Sequence, residues 1–421
     1  MRRNRDFINA CAKPVKGSPI PHKFATWSAI SAVAGALGRK CWFSMPNYDV
    51  RPNLFVILIG PPGTNKSVSL ILPFSKVFSK LTTPVGTKED DDEFNSGLTQ
   101  YGLKAYPLYL IQDKITPEKL AMEMHKTTRW DNRIGTIRDG LFYDSSLTMT
   151  TSEFGTFMSR HYQYLQMFMT DMWDSKESYS HQIKTGASQF IKGPCLNWLA
   201  CATPQQFIDH LPEDAASQGL LSRFLPIYHQ GERIPQSLLQ EKVSEDTLED
   251  LRHDLSLIAS IHGRFVFDEE AKEIVEKDIR LFIPPEPKDT NMVEYNQRRV
   301  SHFLKVAMSI NASRIGNRVI TLGDWERTKE IMFDMEEKMP KALEGFGRSK
   351  TGKITHDMKE WLESTVFNNN RTHVPLRAFK RQLLNKTTAP SEMSQYLQAM
   401  QDAGYIRVTD ELVSLCRKSA I

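Results

Sequence analysis

The chain has 421 residues, of which 40% are hydrophobic and 25% charged, and its formal net charge is +4. This composition is ordinary for a soluble globular protein of about two or three domains. The mild charge permits nucleic-acid contact but does not argue for it, so any basic patch must be local. Metal-binding cysteine motifs are excluded, because the five cysteines are scattered as Cys11, Cys41, Cys195, Cys201 and Cys416. An odd number of scattered cysteines indicates reduced thiols in a cytosol.

Residues 1–50 predict an N-terminal helical lead. The stretch 24–37 is rich in small residues, and we expect it to form a helix that packs closely against the core. Cys41–Phe43 follows as a short predicted strand. The basic N-terminus precedes no apolar run, and the mildly apolar stretch 25–37 is too short and too polar to cross a bilayer. We therefore expect a cytoplasmic protein without a membrane segment.

The next segment has the layout of a phosphate-binding loop. Residues 54–59 form an apolar run that predicts a strand buried on both faces. Gly and Pro then break the run, and a Lys-Ser pair precedes a second apolar segment at 68–72, where we expect a helix. A phosphate-binding loop has these parts in the same order: a strand, a glycine loop, a Lys-Ser pair and a helix. The loop residues are Gly60, Pro61, Pro62, Gly63, Thr64, Asn65, Lys66 and Ser67.

The residue types of the loop suit nucleotide binding. Backbone N–H groups and a helix N-terminus form an anion cradle, Lys66 is expected to reach the β- and γ-phosphates, and Ser67 to place its hydroxyl on Mg²⁺. Asn65 stands where the pattern has glycine. Because Asn tolerates positive φ, we expect the loop to form. The alternative is a Gly/Pro turn followed by a chance Lys-Ser pair.

Further strands are predicted downstream, and helical segments separate them. These strands are 107–111, 147–151, 196–202 and 224–228, and a helix is predicted to begin at Thr116-Pro117. Strands that alternate with helices indicate a parallel α/β sheet, so we assign residues 51–235 to one P-loop core. Functional residues are then expected at the carboxyl ends of the strands.

Two polar residues follow predicted strands. Glu153 comes after 147–151, where its carboxylate can orient a water for attack on phosphate and join Ser67 at the metal. Ser152 replaces the second acid of such a site, although Mg²⁺ keeps several waters. Thr203 follows 196–202 and can hydrogen-bond the γ-phosphate or the water. The alternatives are an exposed Glu that caps the next helix and a Thr-Pro turn.

Arg223 lies in the largely apolar segment 219–224. A buried arginine is costly unless it is paired. We expect it to reach the nucleotide of a neighbouring subunit as an arginine finger. The alternative is an intrachain salt bridge.

Two regions are candidates for nucleic-acid binding. Residues 179–192 predict a hairpin around Gly186, in which Lys184 and Lys192, with His181, are expected to contact phosphates in a central channel. The alternative is a surface hairpin with ordinary lysines.

The second region follows a predicted helical lid at 236–345 and a glycine-rich linker at 345–352. Residues 351–421 predict three helices closed by a β-hairpin, which is the layout of a winged-helix domain. The predicted helices are 269–276, 299–314 and 324–335 in the lid, and 354–362, 376–384 and 391–403 in the domain. Lys380 and Arg381, with Arg377 and Lys386, make the second helix of the domain basic. This favours DNA binding, and protein docking is the alternative.

These residues resemble known ATPase motifs. The loop resembles the Walker A motif of AAA+ and RecA-like ATPases, Ser152-Glu153 resembles a degenerate Walker B, and Thr203 falls where sensor 1 is expected. Leu220–Phe224 looks like the arginine-finger segment of minichromosome-maintenance helicases, and Arg299 is a candidate for sensor 2. Over roughly residues 20–335 the order is similar to that of primase-associated helicase-like ATPases of phages and mobile elements, in which Pro-Asn-Leu precedes Walker A, here at Pro52–Leu54.

The resemblance implies ATP and Mg²⁺ as cofactors, a homo-oligomeric, hexameric ring, and single-stranded DNA as a partner, with primase or other replication proteins. We therefore expect an ATP-dependent DNA helicase or translocase of phage or mobile-element replication, in the cytoplasm of a bacterial host. It would hydrolyse ATP at subunit interfaces. The alternatives are a nucleotide-binding initiator or loader adaptor with weak or no hydrolysis, and an ATPase that remodels proteins.

Overall fold

The computed structural model divides the chain into two compact units, Met1–Glu344 and Gly345–Ile421. The segments predicted as the helical lead, the core and the lid all belong to the larger unit. The described residues are 1–82, 107–112, 114–131, 142–158, 162–181, 189–211, 219–231, 242–287, 292–314, 316–344, 350–368, 372–384, 392–409 and 411–416.

Strands and helices alternate through much of the larger unit. The described strands are β1 (Cys41–Ser44), β2 (Asp49–Val50), β3 (Phe55–Ile59), β4 (Leu110–Gln112), β5 (Arg129–Asp131), β6 (Phe142–Thr151), β7 (Ser178–His181), β8 (Gln189–Lys192), β9 (Pro194–Ala202), β10 (Phe224–Tyr228), β11 (Gly263–Phe267), β12 (Val319–Ile320), β13 (His373–Pro375), β14 (Ile406–Thr409) and β15 (Leu412–Leu415). The described α-helices are α1 (Phe7–Ala12), α2 (His22–Leu37), α3 (Pro117–Lys126), α4 (Phe154–Met158), α5 (Tyr162–Asp174), α6 (Pro204–His210), α7 (Glu245–Ala259), α8 (Glu269–Arg280), α9 (Val293–Asn296), α10 (Arg299–Arg314), α11 (Leu322–Ala342), α12 (Lys350–Asn368), α13 (Leu376–Leu384) and α14 (Glu392–Asp402).

The central sheet contains five parallel strands in the order β10-β3-β9-β6-β4, and β5 pairs antiparallel with β6. Every residue of β3 and β9 is buried, as is usual for strands that helices cover on both faces. The predicted α/β class, with a parallel sheet and flanking helices, is confirmed. β6 begins five residues before the prediction, because Asp144 is buried at the strand's start and held by Arg129 Nη2 at 2.9 Å.

A second sheet joins segments that are far apart in the sequence. Its strand order is β12-β11-β1-β2, and Cys41 of β1 lies opposite Gly263 of β11 in a parallel pairing. The predicted strand at Cys41–Phe43 is confirmed, whereas its partner β11 lies in a segment for which no strand was predicted.

Helix α2 braces the central sheet, as its small residues predict. Almost all of its side chains are buried, and Asn197 of β9 donates from Nδ2 to the Ser31 carbonyl at 3.0 Å. The predicted helix at Thr116-Pro117 also forms, with Thr116 Oγ1 accepting from Lys119 N.

The smaller unit has its own core. Its three helices and its hairpin lie at the predicted positions, and β13 adds a third strand in the order β13-β15-β14. Met358, Leu362, Phe379, Met400 and Val413 are fully buried in this core. The predicted linker is too long at its end, because residues 350–352 already belong to α12, whose apolar residues pack into this core.

Three findings concern the cysteine thiols, membranes and metals. All five cysteines are free thiols. Among the described helices, none has both the length and the apolarity needed to cross a membrane. Within the described ranges, no three His, Cys, Asp or Glu side chains come together as a metal site.

Candidate functional site

The Gly60–Ser67 loop leaves the carboxyl end of β3, which lies between β10 and β9 in the parallel sheet. The last residue of this strand, Ile59, lies opposite Ala202 at the end of β9 and Tyr228 at the end of β10. Ligands of open α/β sheets bind at this edge, outside the carboxyl ends of the strands. The loop therefore occupies the position at which a parallel sheet binds its ligand.

The first glycine of the loop has no room for a side chain. A Cβ at Gly60 would lie 2.8 Å from Thr64 Oγ1 and 3.0 Å from the His229 carbonyl oxygen. His229 follows β10 and donates its backbone N–H to Ile59 O at 2.9 Å. Burial, together with the charges of two nearby lysines, lowers the pKa of its imidazole and so favours the neutral ring. The sequence pattern does not single out His229, although its position directly after a strand is the same signal that selects Glu153 and Thr203.

Two residues of the loop adopt left-handed backbone conformations. Gly63 has φ of 81° and Asn65 has φ of 53°. Asn is one of the few residues that adopt this region at low cost, which is why it can replace glycine here. Its side chain also ties the loop to the N-terminal segment, since Asn65 Nδ2 donates to the Pro19 carbonyl at 3.3 Å.

The ammonium group of Lys66 is folded back over its own loop. It donates to the carbonyl oxygens of Gly60 and Pro61, both at 2.8 Å, and to Thr64 Oγ1 at 3.3 Å. These partners are neutral, so no carboxylate of the described chain balances the charge. Burial lowers the pKa of Lys66. An anion that enters the loop can replace the carbonyls as the partner of the ammonium group. The attraction between the two opposite charges would then favour binding of the anion.

The segment after the loop differs from the predicted α-helix. Ser67–Leu70 is a 3₁₀ turn, Ile71–Val77 a π-helix and Phe78–Leu81 a second 3₁₀ turn. Pro73 is the physical reason, because proline lacks the N–H of an α-helical bond and its ring clashes with the carbonyl four residues earlier. The anion cradle therefore relies on the backbone of the loop more than on the dipole of a regular helix.

Glu153 and Thr203 lie at the same edge of the sheet as the loop. They follow β6 and β9, and Glu153 is exposed, with no ion pair in the described chain. Ser67 is also exposed, so the two side chains offer the oxygen ligands that Mg²⁺ prefers. Thr203 caps α6, where its Oγ1 accepts from Gln206 N at 3.2 Å. That cap is the Thr-Pro turn of the alternative, and it leaves the hydroxyl proton available to a ligand.

An apolar cavity of about 620 Å³ adjoins the loop, within the range of small-molecule sites. Three segments line it: the N-terminal stretch from Pro14 to Ile20, the loop and the helical turns after it from Asn65 to Lys76, and the start of α7 with Lys242 and Val243 before it. Val68 and Ile71 expose apolar surface there, and these residues are 38% and 44% exposed. An apolar cavity beside a cationic loop suits a ligand with an apolar part and an anionic part.

Arg223 lies at the other edge of the sheet, directly before β10. Its side chain is 3% exposed, and its Nη2 contacts Asp174 Oδ2 at 2.7 Å. This is the intrachain salt bridge of the alternative. The structure thus brings Lys66, Glu153 and Thr203 to one edge and leaves Arg223 at the opposite one.

Arg299 is also committed to partners in its own chain. Both ends of its guanidinium group contact Glu336, at 2.6 and 2.8 Å, and it donates to the carbonyls of Phe282, Ile283 and Pro285. It has no donor left for a nucleotide, so the suggested sensor 2 role does not fit its surroundings.

The residues predicted to bind nucleic acid belong to both units. Lys192 ends β8, and its Nζ lies 4.3 Å from the ring centroid of Tyr143. Lys380 and Arg381 are exposed on α13 of the smaller unit. Lys184 and Lys386 lie outside the described residues.

Comparison with known proteins adds no family to these observations. Neither the models of protein families nor the functionally characterised proteins contain a significant match to this sequence.

Proposed function

We propose that this protein is a P-loop ATPase of the AAA+ or RecA-like type that works as a DNA helicase or translocase. In this proposal it serves phage or mobile-element replication in the cytoplasm of a bacterial host. The observation that carries the proposal is the Gly60–Ser67 loop, which leaves the carboxyl end of an interior parallel strand with an ammonium group that no carboxylate of the described residues balances. The apolar cavity beside the loop supports a nucleobase next to the phosphates.

Each residue of the site has a role in this proposal. Lys66 exchanges its loop carbonyls for β- and γ-phosphate oxygens. Ser67 and Glu153 are the residues that would bind the metal ion. Glu153 orients the attacking water and accepts its proton, while Thr203 donates its hydroxyl proton to the γ-phosphate or the water. Bound Mg²⁺ supplies neutralisation of the developing phosphate charge.

The DNA part of the proposal rests on basic residues outside this site. Lys192 on the β7–β8 hairpin, with Lys184, suits contacts in the channel of a hexameric ring. The three helices and three strands of the smaller unit suit a winged-helix domain, with Lys380 and Arg381 exposed on its second helix. Arg223 would serve a neighbouring subunit only after its pair with Asp174 opens.

A nucleotide-binding adaptor with slow turnover is the second candidate. Two observations favour it: Ser152 leaves Glu153 as the one acid after β6, and the segment that follows Ser67 is irregular. Both features weaken catalysis more than binding.

The rate of ATP hydrolysis with and without single-stranded DNA tests the proposal. A helicase or translocase hydrolyses ATP faster with DNA, and its mass in ATP corresponds to a ring. Tight ATP binding with negligible hydrolysis under both conditions would favour the adaptor. Hydrolysis that DNA does not change would favour an ATPase that remodels proteins.

A further inference from the structure

A second cavity, of about 400 Å³, lies at the amino-terminal edge of the central sheet. Three segments line it: Tyr48–Arg51 ahead of β3, Trp173 and Asp174 at the end of α5, and residues between Gln297 and Lys305 at the start of α10. Because β3 carries the Gly60–Ser67 loop at its other end, the two sites are separated by the length of that strand.

Cationic side chains outnumber carboxylates around this cavity. The cations are Arg51, Arg223, Arg298 and Lys305, and the carboxylates are Asp49 and Asp174. Arg223 does not line the cavity, but its guanidinium group contacts Asp174 at 2.7 and 3.3 Å. It therefore neutralises much of the negative charge of that carboxylate. Arg298 Nη1 lies farther from the same carboxylate, at 3.5 Å. One carboxylate thus serves two guanidinium groups.

Lys305 adds a buried charge that no carboxylate contacts within the described part of the chain. Its Nζ donates to the Asn53 carbonyl at 2.9 Å, to Asn53 Oδ1 at 2.8 Å and to the Trp173 carbonyl at 3.4 Å. Burial, reinforced by the neighbouring arginines, lowers its pKa to about 7. An anion in the cavity would offset the mutual repulsion of these cations.

Arg298 is the cation best placed to meet such an anion. Its side chain is 34% exposed, so a ligand can reach it from solvent, while buried residues lie on its other side. Its Nε donates to Ser222 Oγ at 3.1 Å, and its guanidinium group lies 5.6 Å from the ring centroid of Trp173. Its Nη2 has no hydrogen-bond acceptor among the described residues. Ser301, one turn into the same wall, contributes a hydroxyl that is likewise unused in the described chain.

We propose that this cavity binds the phosphate groups of a polyphosphate ligand and that Arg298 is their principal contact. Arg298 and Ser301 donate hydrogen bonds to the phosphate oxygens, while Arg51 and Lys305 supply charge from the buried side. The ligand is either a free nucleotide or the nucleotide held in the Gly60–Ser67 loop of a second copy. The second source rests on the proposed function, and the first is independent of it.

Binding of inorganic tripolyphosphate to the full chain, measured by calorimetry, tests this proposal. The Lys66→Ala variant removes the loop site, so the binding that remains reports the cavity. We expect Arg298→Ala in that background to weaken it by about tenfold or more, as the loss of one charge-assisted hydrogen bond implies. Ser301→Glu, which adds a carboxylate to the wall, should weaken it as well. Arg280→Ala removes an exposed arginine of α8 that lines neither cavity, and it is the matched control.

The outcomes separate the two sites and the two sources. Binding by the Lys66→Ala variant at concentrations at which the protein is monomeric identifies a free ligand as the source. If Lys66→Ala binds no tripolyphosphate and the otherwise wild-type chain assembles with ATP, loss of that assembly in Arg298→Ala identifies the nucleotide of a second copy as the ligand. If neither occurs, or if Arg298→Ala behaves as Arg280→Ala does while the variants remain folded by circular dichroism, the cavity is not a phosphate site. Failure of the loop site alone would instead appear as equal binding by wild type and the Lys66→Ala variant.

Discussion

Asn65 decides whether the Gly60–Ser67 loop keeps the shape of a phosphate cradle. Its φ of 53° lies in the left-handed region, where an ordinary L-residue loses about 1–2 kcal/mol relative to its preferred conformations. Asn pays less than this, and its Nδ2–Pro19 hydrogen bond contributes about 0.5–1.5 kcal/mol more. Asn65→Ala removes both effects, so it should disfavour the cradle by about 1–2 kcal/mol.

That cost should appear in nucleotide affinity. In the Asn65→Ala variant the loop relaxes to negative φ when it is empty and has to return to positive φ to bind, so Kd for ATP should rise about tenfold. Asn65→Gly loses the same hydrogen bond but has no penalty at positive φ. We therefore expect Asn65→Gly to bind ATP within about threefold of wild type. A titration with a fluorescent ATP analogue in the presence of Mg²⁺ measures all three proteins.

The comparison of Ala with Gly isolates the backbone, because both substitutions delete the same side-chain contacts. Equal affinities of Asn65→Ala and Asn65→Gly would refute the argument from φ. Weaker binding by Asn65→Gly than by Asn65→Ala would show that backbone freedom at this position costs more than positive φ does, and would also contradict the argument.

Three further predictions concern single side chains. Glu153→Gln should keep ATP binding and lower hydrolysis by about 100-fold, measured as phosphate release, because an amide cannot accept the proton of the water. Arg223→Ala should lower the thermal unfolding midpoint, since it deprives Asp174 of its nearest cation and costs about 2–4 kcal/mol. Burial lowers the pKa of His302 to about 3 from its ordinary 6.5, so the unfolded chain takes up a proton in that window that the folded chain does not. Stability should therefore fall as pH drops through it, by about 1.4 kcal/mol per unit, and urea unfolding of His302→Gln should lack that component.

Each of these predictions has a result that would contradict it. Unchanged hydrolysis by Glu153→Gln would remove Glu153 from the chemistry. An Arg223→Ala protein as stable as wild type would show that the salt bridge contributes little, and would leave the residue free for a neighbouring subunit. An identical acid response of His302→Gln and wild type would mean that other groups carry the pH dependence.

The central sheet is predictable because its signals are local. The strands β3 and β9 are continuous apolar runs, and a glycine loop or a Thr-Pro cap marks their ends. The second sheet is not predictable in the same way, since Cys41 pairs with Gly263 across most of the larger unit and β11 is only partly buried. The irregular segment after Ser67 had a local signal, because Pro73 removes an α-helical hydrogen bond there and disfavours a regular α-helix.

The same difference between local and non-local signals decides which residues of the candidate site can be predicted from the sequence. Glu153 and Thr203 could be chosen because polar residues at the carboxyl ends of parallel strands meet at one edge. The pairing of Arg223 with Asp174 could not, since the partner comes from another helix and only the fold brings the two together. The folded-back ammonium group of Lys66 also escapes the sequence, because its partners are backbone carbonyls that carry no residue identity.

The most direct test of the ATPase assignment is the rate of phosphate release from ATP with Mg²⁺ by wild type, Lys66→Ala and Lys272→Ala. Lys272 is an exposed lysine of α8 and serves as the matched control for loss of one ammonium group. We predict that Lys66→Ala is slower than wild type by at least about 100-fold, as the removal of a charge that stabilises the transition state implies, and that Lys272→Ala is unchanged. Equal rates for wild type and Lys66→Ala would contradict the assignment of Gly60–Ser67 as the nucleotide site.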